Sequence, residues 1–209
     1  NDTLVGADVA NTWSITGANA GTVGGVSFSG FKNLTGGTNN DSFTLSGGTL
    51  SGAINGGTGT NALTADNVAN TWTITGADSG TVTGVTGGFS NIANLNGGTN
   101  TDSFTLSGGT VSGAINGGLT GANTLTADNV ANTWVITGAN AGSVTGVSGG
   151  FTNIANLNGG TGTDAFTLSG GTLSGAINGG LTGANTLTAD NVANTWVITG
   201  ANAGSVTGV

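Results

Sequence analysis

The stretch LTADNVANTW fills residues 125–134, and the same letters recur at 63–72 and 187–196. Trp72, Trp134 and Trp196 close these copies. With Trp13 ahead of them, the tryptophans are 59, 62 and 62 residues apart. A near-verbatim repeat of this length comes before any local assignment, because repetition fixes the architecture. A shorter period lies inside it. Ten of the Ile and Leu residues that are followed by Asn or Thr and then Gly are evenly spaced and serve as anchors: Ile15, Leu34, Ile54, Ile74, Leu95, Ile115, Ile136, Leu157, Ile177 and Ile198. The steps between them are 19, 20, 20, 21, 20, 21, 21, 20 and 21 residues.

A step of that size is too short for a domain and too long for a hairpin. It suits one coil of a parallel β-solenoid, in which each turn of chain pairs with the next. The expected fold is all-β: a β-helix of 20–21 residues per coil, with three coils in each 62-residue repeat. The short alternations TWVIT, AFTL and NTLT read as strands, and the Gly, Asn, Thr and Ser clusters between them as turns. No stretch keeps a helical period, so almost no helix is expected. A string of small sandwiches is the rival, but such domains use roughly 100 residues and would leave the short step unexplained. Asn1 and Val209 both fall inside a repeat, so residues 1–209 are expected to form one continuous solenoid segment, part of a longer array.

In TWVIT, Trp134 stands two residues before Ile136, so both side chains point the same way along a strand. On a uniform coil Trp134 lies between Gly113 and Ala155, and Trp72 between Gly52 and Ala93. A large indole between small neighbours fits inward packing. Trp13, Trp72, Trp134 and Trp196 are therefore assigned to the core, with Ile136, Leu157 and Ile177 among anchors stacked in one inward column. The alternative is an exposed aromatic platform for a sugar or a partner. The Asn or Thr after each anchor is expected to form a ladder at one corner, with the following Gly at positive φ.

Composition excludes most chemistry. Lys32 is the sole cation against nine Asp, and the net charge is −8. No basic patch for nucleic acid or an anionic membrane can be assembled from that. With no His and no Cys, zinc and haem sites lack their ligands and no disulfide can form. No apolar run is long enough to insert in a bilayer. Acid–base work on sugars needs paired carboxylates or a base beside an acid, and the Asp residues are isolated, so no enzyme is expected. A flat ice-binding face would need the same Thr pair in every coil, and these pairs occur irregularly.

GGTGTDAF, residues 159–166, fits the Gly-Gly-x-Gly-x-Asp-x-apolar pattern of calcium-binding repeats in secreted toxins. Calcium takes six to eight oxygens, normally from several converging carboxylates. On the uniform coil Asp164 is flanked by Ser143 and Asn185, Asp41 by Thr22 and Asn61, and Asp102 by Thr81 and Asn123. A second series, Asp66, Asp128 and Asp190, also recurs once per long repeat. Carboxylates three strands apart, roughly 14 Å, cannot share an ion. No metal ligand or other cofactor is assigned. Asp41, Asp102 and Asp164 are the positions to inspect for calcium, against the plainer role of Asp in turns.

NGGTGTD at 158–164, NDTL at 1–4 and NTWVITGANAGSVTGV at 132–147 resemble repeats of very large bacterial surface proteins. These are haemagglutinin-like adhesins and related secreted β-strand-repeat proteins, some with degenerate hemolysin-type calcium motifs. The likeness covers the whole chain. It implies secretion or display at the cell surface, and a stalk, adhesive or biofilm-matrix role. The expected function is a structural extracellular rod or filament without catalysis. Its expected partners are further repeats of the same chain or another copy end to end, with any surface glycan left open. The alternative is a calcium-binding, hemolysin-type repeat module.

Overall fold

A computed structural model describes residues 2–209. These residues form short strands and turns without a helix, so no helix is long and apolar enough to cross a membrane. Most strands lie in two large sheets. The ten-stranded sheet runs, in spatial order, through Thr3–Val5, Asn33–Thr35, Ile54–Asn55, Val85–Ser90, Ser79–Val82, Thr71–Gly76, Ser103–Leu106, Thr124–Thr126, Asn156–Asn158 and Ile177–Asn178. The twelve-stranded sheet runs through Thr186–Thr188, Ala165–Leu168, Thr133–Gly138, Ala141–Val144, Val147–Thr152 and Ile115–Asn116. It continues through Asn94–Asn96, Ala62–Thr64, Ser42–Leu45, Thr12–Gly17, Ala20–Val23 and Val26–Ser29. Trp196–Gly200 and Ala203–Val206 form a two-stranded sheet of their own.

The chain alternates between the large sheets. From Thr71–Gly76 in the ten-stranded sheet it crosses to Asn94–Asn96, returns to Ser103–Leu106, and crosses to Ile115–Asn116. It then returns to Thr124–Thr126 and reaches Thr133–Gly138 in the twelve-stranded sheet. One long repeat thus makes an odd number of crossings. Trp72 belongs to one sheet, and Trp13 and Trp134 to the other.

Contacts between successive crossings are parallel and in register. Leu34 pairs with Ile54, Leu95 with Ile115 and Leu157 with Ile177, each at a 20-residue step. Phe43 pairs with Leu63 at the same step, and where a Trp-bearing strand lies between the partners the step is longer, because that strand folds back on itself before the chain crosses. Thr71–Gly76, Ser79–Val82 and Val85–Ser90 make an antiparallel meander within the plane of the sheet. Its tight returns use Asp78 at φ 50° and Gly84 at φ 87°. The equivalents Asn140 and Gly146 turn the next meander at φ 53° and 88°. Asn, Asp and Gly tolerate that left-handed geometry better than other residues.

The structure corrects three expectations, the first two through the meander. The anchors do not share one column: Ile15, Leu95, Ile115 and Ile136 lie in the twelve-stranded sheet, and Leu34, Ile54, Ile74, Leu157 and Ile177 in the ten-stranded one. Nor does Trp134 stack between Gly113 and Ala155. Its in-register partner is Phe166, and Trp72 and Trp13 pair likewise with Phe104 and Phe43. Finally, the positive φ falls on the second glycine after the anchor, as at Gly57 with φ 78°, and not on the first. The first is glycine for space: a methyl on Gly56 would run into the Asn91 carbonyl and the Asn61 side chain.

Buried side chains of both sheets join in one hydrophobic cluster. Alternation along each strand produces it, as in Thr133–Gly138, where Trp134 and Ile136 are buried while Thr133 and Thr137 face solvent. Trp13, Trp72, Trp134, Ile136 and Leu157 are fully buried, and Ile177 is partly so. Trp196 departs from its assignment and is 48% exposed. The other tryptophans are each covered by a Phe strand that follows 30 or 32 residues later. The strand of Trp196 pairs only with Ala203–Val206.

The indole of Trp134 stacks on Phe166 at 5.4 Å and meets the edge of Phe151 at 5.9 Å. Trp134→Ala should therefore cost about 3–5 kcal/mol, as for other buried aromatic truncations. Trp196→Ala should cost no more than about 1 kcal/mol. Denaturant unfolding followed by circular dichroism checks both, and equal losses would contradict the difference in packing.

Candidate functional site

The in-register pairing that builds the sheets also lines up the residue just ahead of each strand. Thr12, Ser42 and Ala62 are cross-strand partners, which places Asn11, Asp41 and Asn61 in a row. Pairing of Thr71, Ser103 and Thr124 does the same for Asn70, Asp102 and Asn123. Thr133, Ala165 and Thr186 align Asn132, Asp164 and Asn185. Eight of these nine side chains are buried, and Asn185 is partly buried.

Each row is a hydrogen-bonded Asn–Asp–Asn ladder. Asn132 donates from its backbone N at 2.9 Å and from Nδ2 at 2.8 Å to Oδ1 of Asp164. Asn70 makes the same pair of bonds to Asp102 at 2.8 and 2.9 Å, and Asn11 to Asp41 at 2.8 Å each. On the other side, the Asp backbone N–H donates 2.8 Å bonds to Oδ1 of Asn61, Asn123 and Asn185. Expectation and structure agree on those three asparagines. They differ on the opposite flank, where Asn11, Asn70 and Asn132 stand in place of Thr22, Thr81 and Ser143. The latter three lie in the middle strand of a meander, paired antiparallel with Ser14, Thr73 and Val135.

The leading asparagine also explains why its loop is repeated almost letter for letter. Nδ2 of Asn132 approaches the carbonyl oxygens of Asp128 at 2.9 Å, Val130 at 2.8 Å and Gly159 at 3.1 Å. Two N–H groups are shared among these acceptors and Asp164, so the loop of ADNVAN is closed around one amide. Asp128 is a turn residue there, its Oδ1 accepting the Asn129 N–H at 2.8 Å. Asp66 does the same for Asn67, and Asp190 for Asn191, both at 2.8 Å. The Asn after an anchor likewise bonds locally: Oδ1 of Asn116 accepts the Gly118 N–H at 2.9 Å.

Oδ1 of each ladder Asp is saturated. Oδ2 of Asp41, Asp102 and Asp164 is buried and receives no hydrogen bond. Burial pushes the Asp102 carboxyl above its ordinary value of 3.8, opposed by the hydrogen bonds from the Asn70 side chain and backbone. Among the described residues, no three carboxylate, imidazole or thiol side chains converge on one point. A surface depression of about 380 Å³ runs past Ala18, Asn19, Thr49, Ser51, Val82 and Thr86, and no charged side chain lines it. The buried Trp13, Trp72 and Trp134 leave Nε1 without an acceptor, so these rings serve packing. What the arrangement does chemically is tie one strand layer to the next through amide and carboxyl groups.

Neither a protein-family model, nor a curated protein, nor a solved structure matches the chain.

The leading asparagines escaped the sequence reading although a signal for them exists. Asn or Asp stands two residues before the first buried apolar residue of each ladder strand: Asn70 before Trp72, Asp102 before Phe104, Asn123 before Leu125. Removing the hub should be costly. Asn132→Ala strips both amide donors from Asp164 Oδ1 and the loop carbonyls, and is expected to destabilise by about 2–4 kcal/mol. Thermal melting against the unaltered chain measures it, and a shift near zero would show that the ladder contributes nothing.

Proposed function

We propose that the chain is wound as a parallel β-solenoid and acts as a non-catalytic structural rod of an extracellular fibre, such as an adhesin stalk or a matrix filament. The observation that carries this reading is the in-register stack itself, with both sheets closing over one hydrophobic cluster. On that reading each long repeat is five half-coils, in place of the three 20-residue coils read from the anchors. At about 4.8 Å per strand, ten to twelve strands span about 48–58 Å. The polar groups repeated most faithfully bond to each other and to the backbone, which supports a role in holding shape.

Two further parts of the proposal rest on other features. Secretion or surface display rests on the likeness of NGGTGTD and NTWVITGANAGSVTGV to bacterial surface repeats. Axial partners, either more repeats of one chain or another copy, are supported by the half-exposed Trp196 and the exposed Val197 and Ile198. An apolar strand face left open in this way favours a further strand layer.

Electron micrographs of the native material should show thin, unbranched fibres with an axial spacing near 4.8 Å in diffraction. Compact particles without an axial repeat would overturn the rod. In excess chelator the β-type circular dichroism and the melting temperature should stay unchanged, because Asn side-chain amides already engage the ladder Oδ1 atoms. Loss of that signal in EDTA, restored by calcium, would return the chain to the calcium-binding class.

A further inference from the structure

We propose that Asp41, Asp102 and Asp164 are held as neutral carboxylic acids, each donating its Oδ2–H to a carbonyl oxygen in the next strand layer, that of Gly56, Gly117 and Gly179 respectively.

The asparagines of the same ladders supply the template. Asn61 Nδ2 donates to the Asn91 carbonyl at 3.0 Å, and Asn123 Nδ2 to the Asn153 carbonyl at 3.0 Å. Asn11 Nδ2 donates to the Gly36 carbonyl at 2.9 Å. In each case a glycine packs against both partners. A methyl on Gly56 would strike Asn61 Nδ2 and Asn91 O, one on Gly117 would strike Asn123 Nδ2 and Asn153 O, and one on Gly6 would strike Asn11 Nδ2 and Gly36 O. The Asp layers repeat this arrangement atom for atom. A methyl on Gly36 would strike Asp41 Oδ2 and Gly56 O together. On Gly97 it would strike Asp102 Oδ2 and Gly117 O, and on Gly159, Asp164 Oδ2 and Gly179 O.

Where Asn presents a donor to the next carbonyl, Asp presents an oxygen. A buried carboxylate oxygen that receives no hydrogen bond and faces a carbonyl oxygen is unfavourable; the Gly179 carbonyl, which already accepts from Asn185 Nδ2 at 2.7 Å, keeps a second lone pair for a further donor. A carboxyl proton converts the pair into the same donor–acceptor contact that Asn makes, since a protonated Asp has one O–H donor. The three repeats place the same orphaned oxygen at the same spot. Calcium would need six to eight oxygens there. The glycine leaves no room for a side chain beside the two oxygens.

The surroundings favour the neutral form. Asp41, Asp102 and Asp164 are 2%, 0% and 0% exposed. The groups in contact with them are amides, carbonyls and glycines from the layers above and below. The titratable groups on the loops leading into the stacks are Asp8, Asp66 and Asp128, which are acidic themselves. Asp66 and Asp128 turn Oδ1 onto the backbone N–H of Asn67 and Asn129. Burial raising the Asp102 carboxyl above its ordinary value agrees with the assignment. A group whose folded pKa lies above its unfolded value contributes stability that is complete below the unfolded value. That contribution is lost as pH rises through the folded one.

The test compares the whole chain with the triple variant Asp41→Asn, Asp102→Asn, Asp164→Asn. Melting temperatures are measured from about pH 4 to pH 8, with Asp side-chain ¹³Cγ titrations of the unaltered chain. The unaltered chain should melt lower at the high-pH end than the variant does, by on the order of 5 °C, and match it in acid. The Asp102 ¹³Cγ resonance should titrate above the ordinary Asp range. Ionisation of all nine Asp within the ordinary range would overturn the proposal, whether or not the variant folds. A melting temperature that rises with pH relative to the variant would also overturn it. So would calcium that raises the melting temperature of the unaltered chain at neutral pH but not that of the variant. Fibre imaging is independent of all these outcomes, so the rod and the neutral acids can fail separately.

Discussion

Parallel strands in register set every side chain against its counterpart in the next layer, so a bulky residue must be matched to its neighbour. The contact of Trp13 with Phe43, Trp72 with Phe104 and Trp134 with Phe166 meets that demand three times over. The rings lie nearly parallel, at 12–14°, with centroids 5.4–5.5 Å apart. A second Phe, from the last strand of the meander, closes each indole edge-on at 5.7–6.0 Å. That Phe faces a glycine of the middle strand, as Phe89 faces Gly80 and Phe151 faces Gly142. Aromatic pairs in these geometries add to what burial alone supplies. The meander and the Trp layer are one packing unit, which is why they recur together.

The same register governs the polar residues. Ahead of each Trp strand the chain enters the core, and its backbone groups have to be satisfied there. An Asn at that point bonds its own loop, the carbonyl of the layer below and the adjoining Asp, so three pieces of backbone meet at one amide. Ladders of this kind are worth having only when nearly every member is bonded. That condition gives the otherwise bland Asn-x-Trp and Asp-x-Phe spacing its meaning.

Much of the fold was legible in the sequence. The all-β character, the parallel pairing and the buried Trp13, Trp72 and Trp134 follow from alternation and repetition. The pairs Leu34–Ile54, Leu95–Ile115 and Leu157–Ile177 follow from the 20-residue step. The anchors misled where that same step spans a hairpin. From Ile136 to Leu157 the chain makes two antiparallel returns and a crossing, and the even count hides the change of direction. Asn140 and Gly146 marked those returns, because Asn and Gly are the residues that accept left-handed turns between antiparallel strands. Of the ladders, the Asp and the trailing Asn could be placed from spacing. The leading Asn fell outside the 20-residue step, since its partner lies 30 or 32 residues away, across a meander, and only its place two residues before the Trp marks it.

The odd number of crossings in each repeat has a genetic consequence. A duplication or loss of one 62-residue unit would turn everything downstream to the opposite side of the molecule. Gain or loss of two units would restore the original facing. Any change in copy number by whole units therefore carries a parity. A residue selected for contact on one side would, after a single-unit event, be presented on the other. A molecule whose two sheets are built from the same strands in alternation tolerates that reversal, and the number of units can drift without spoiling either face.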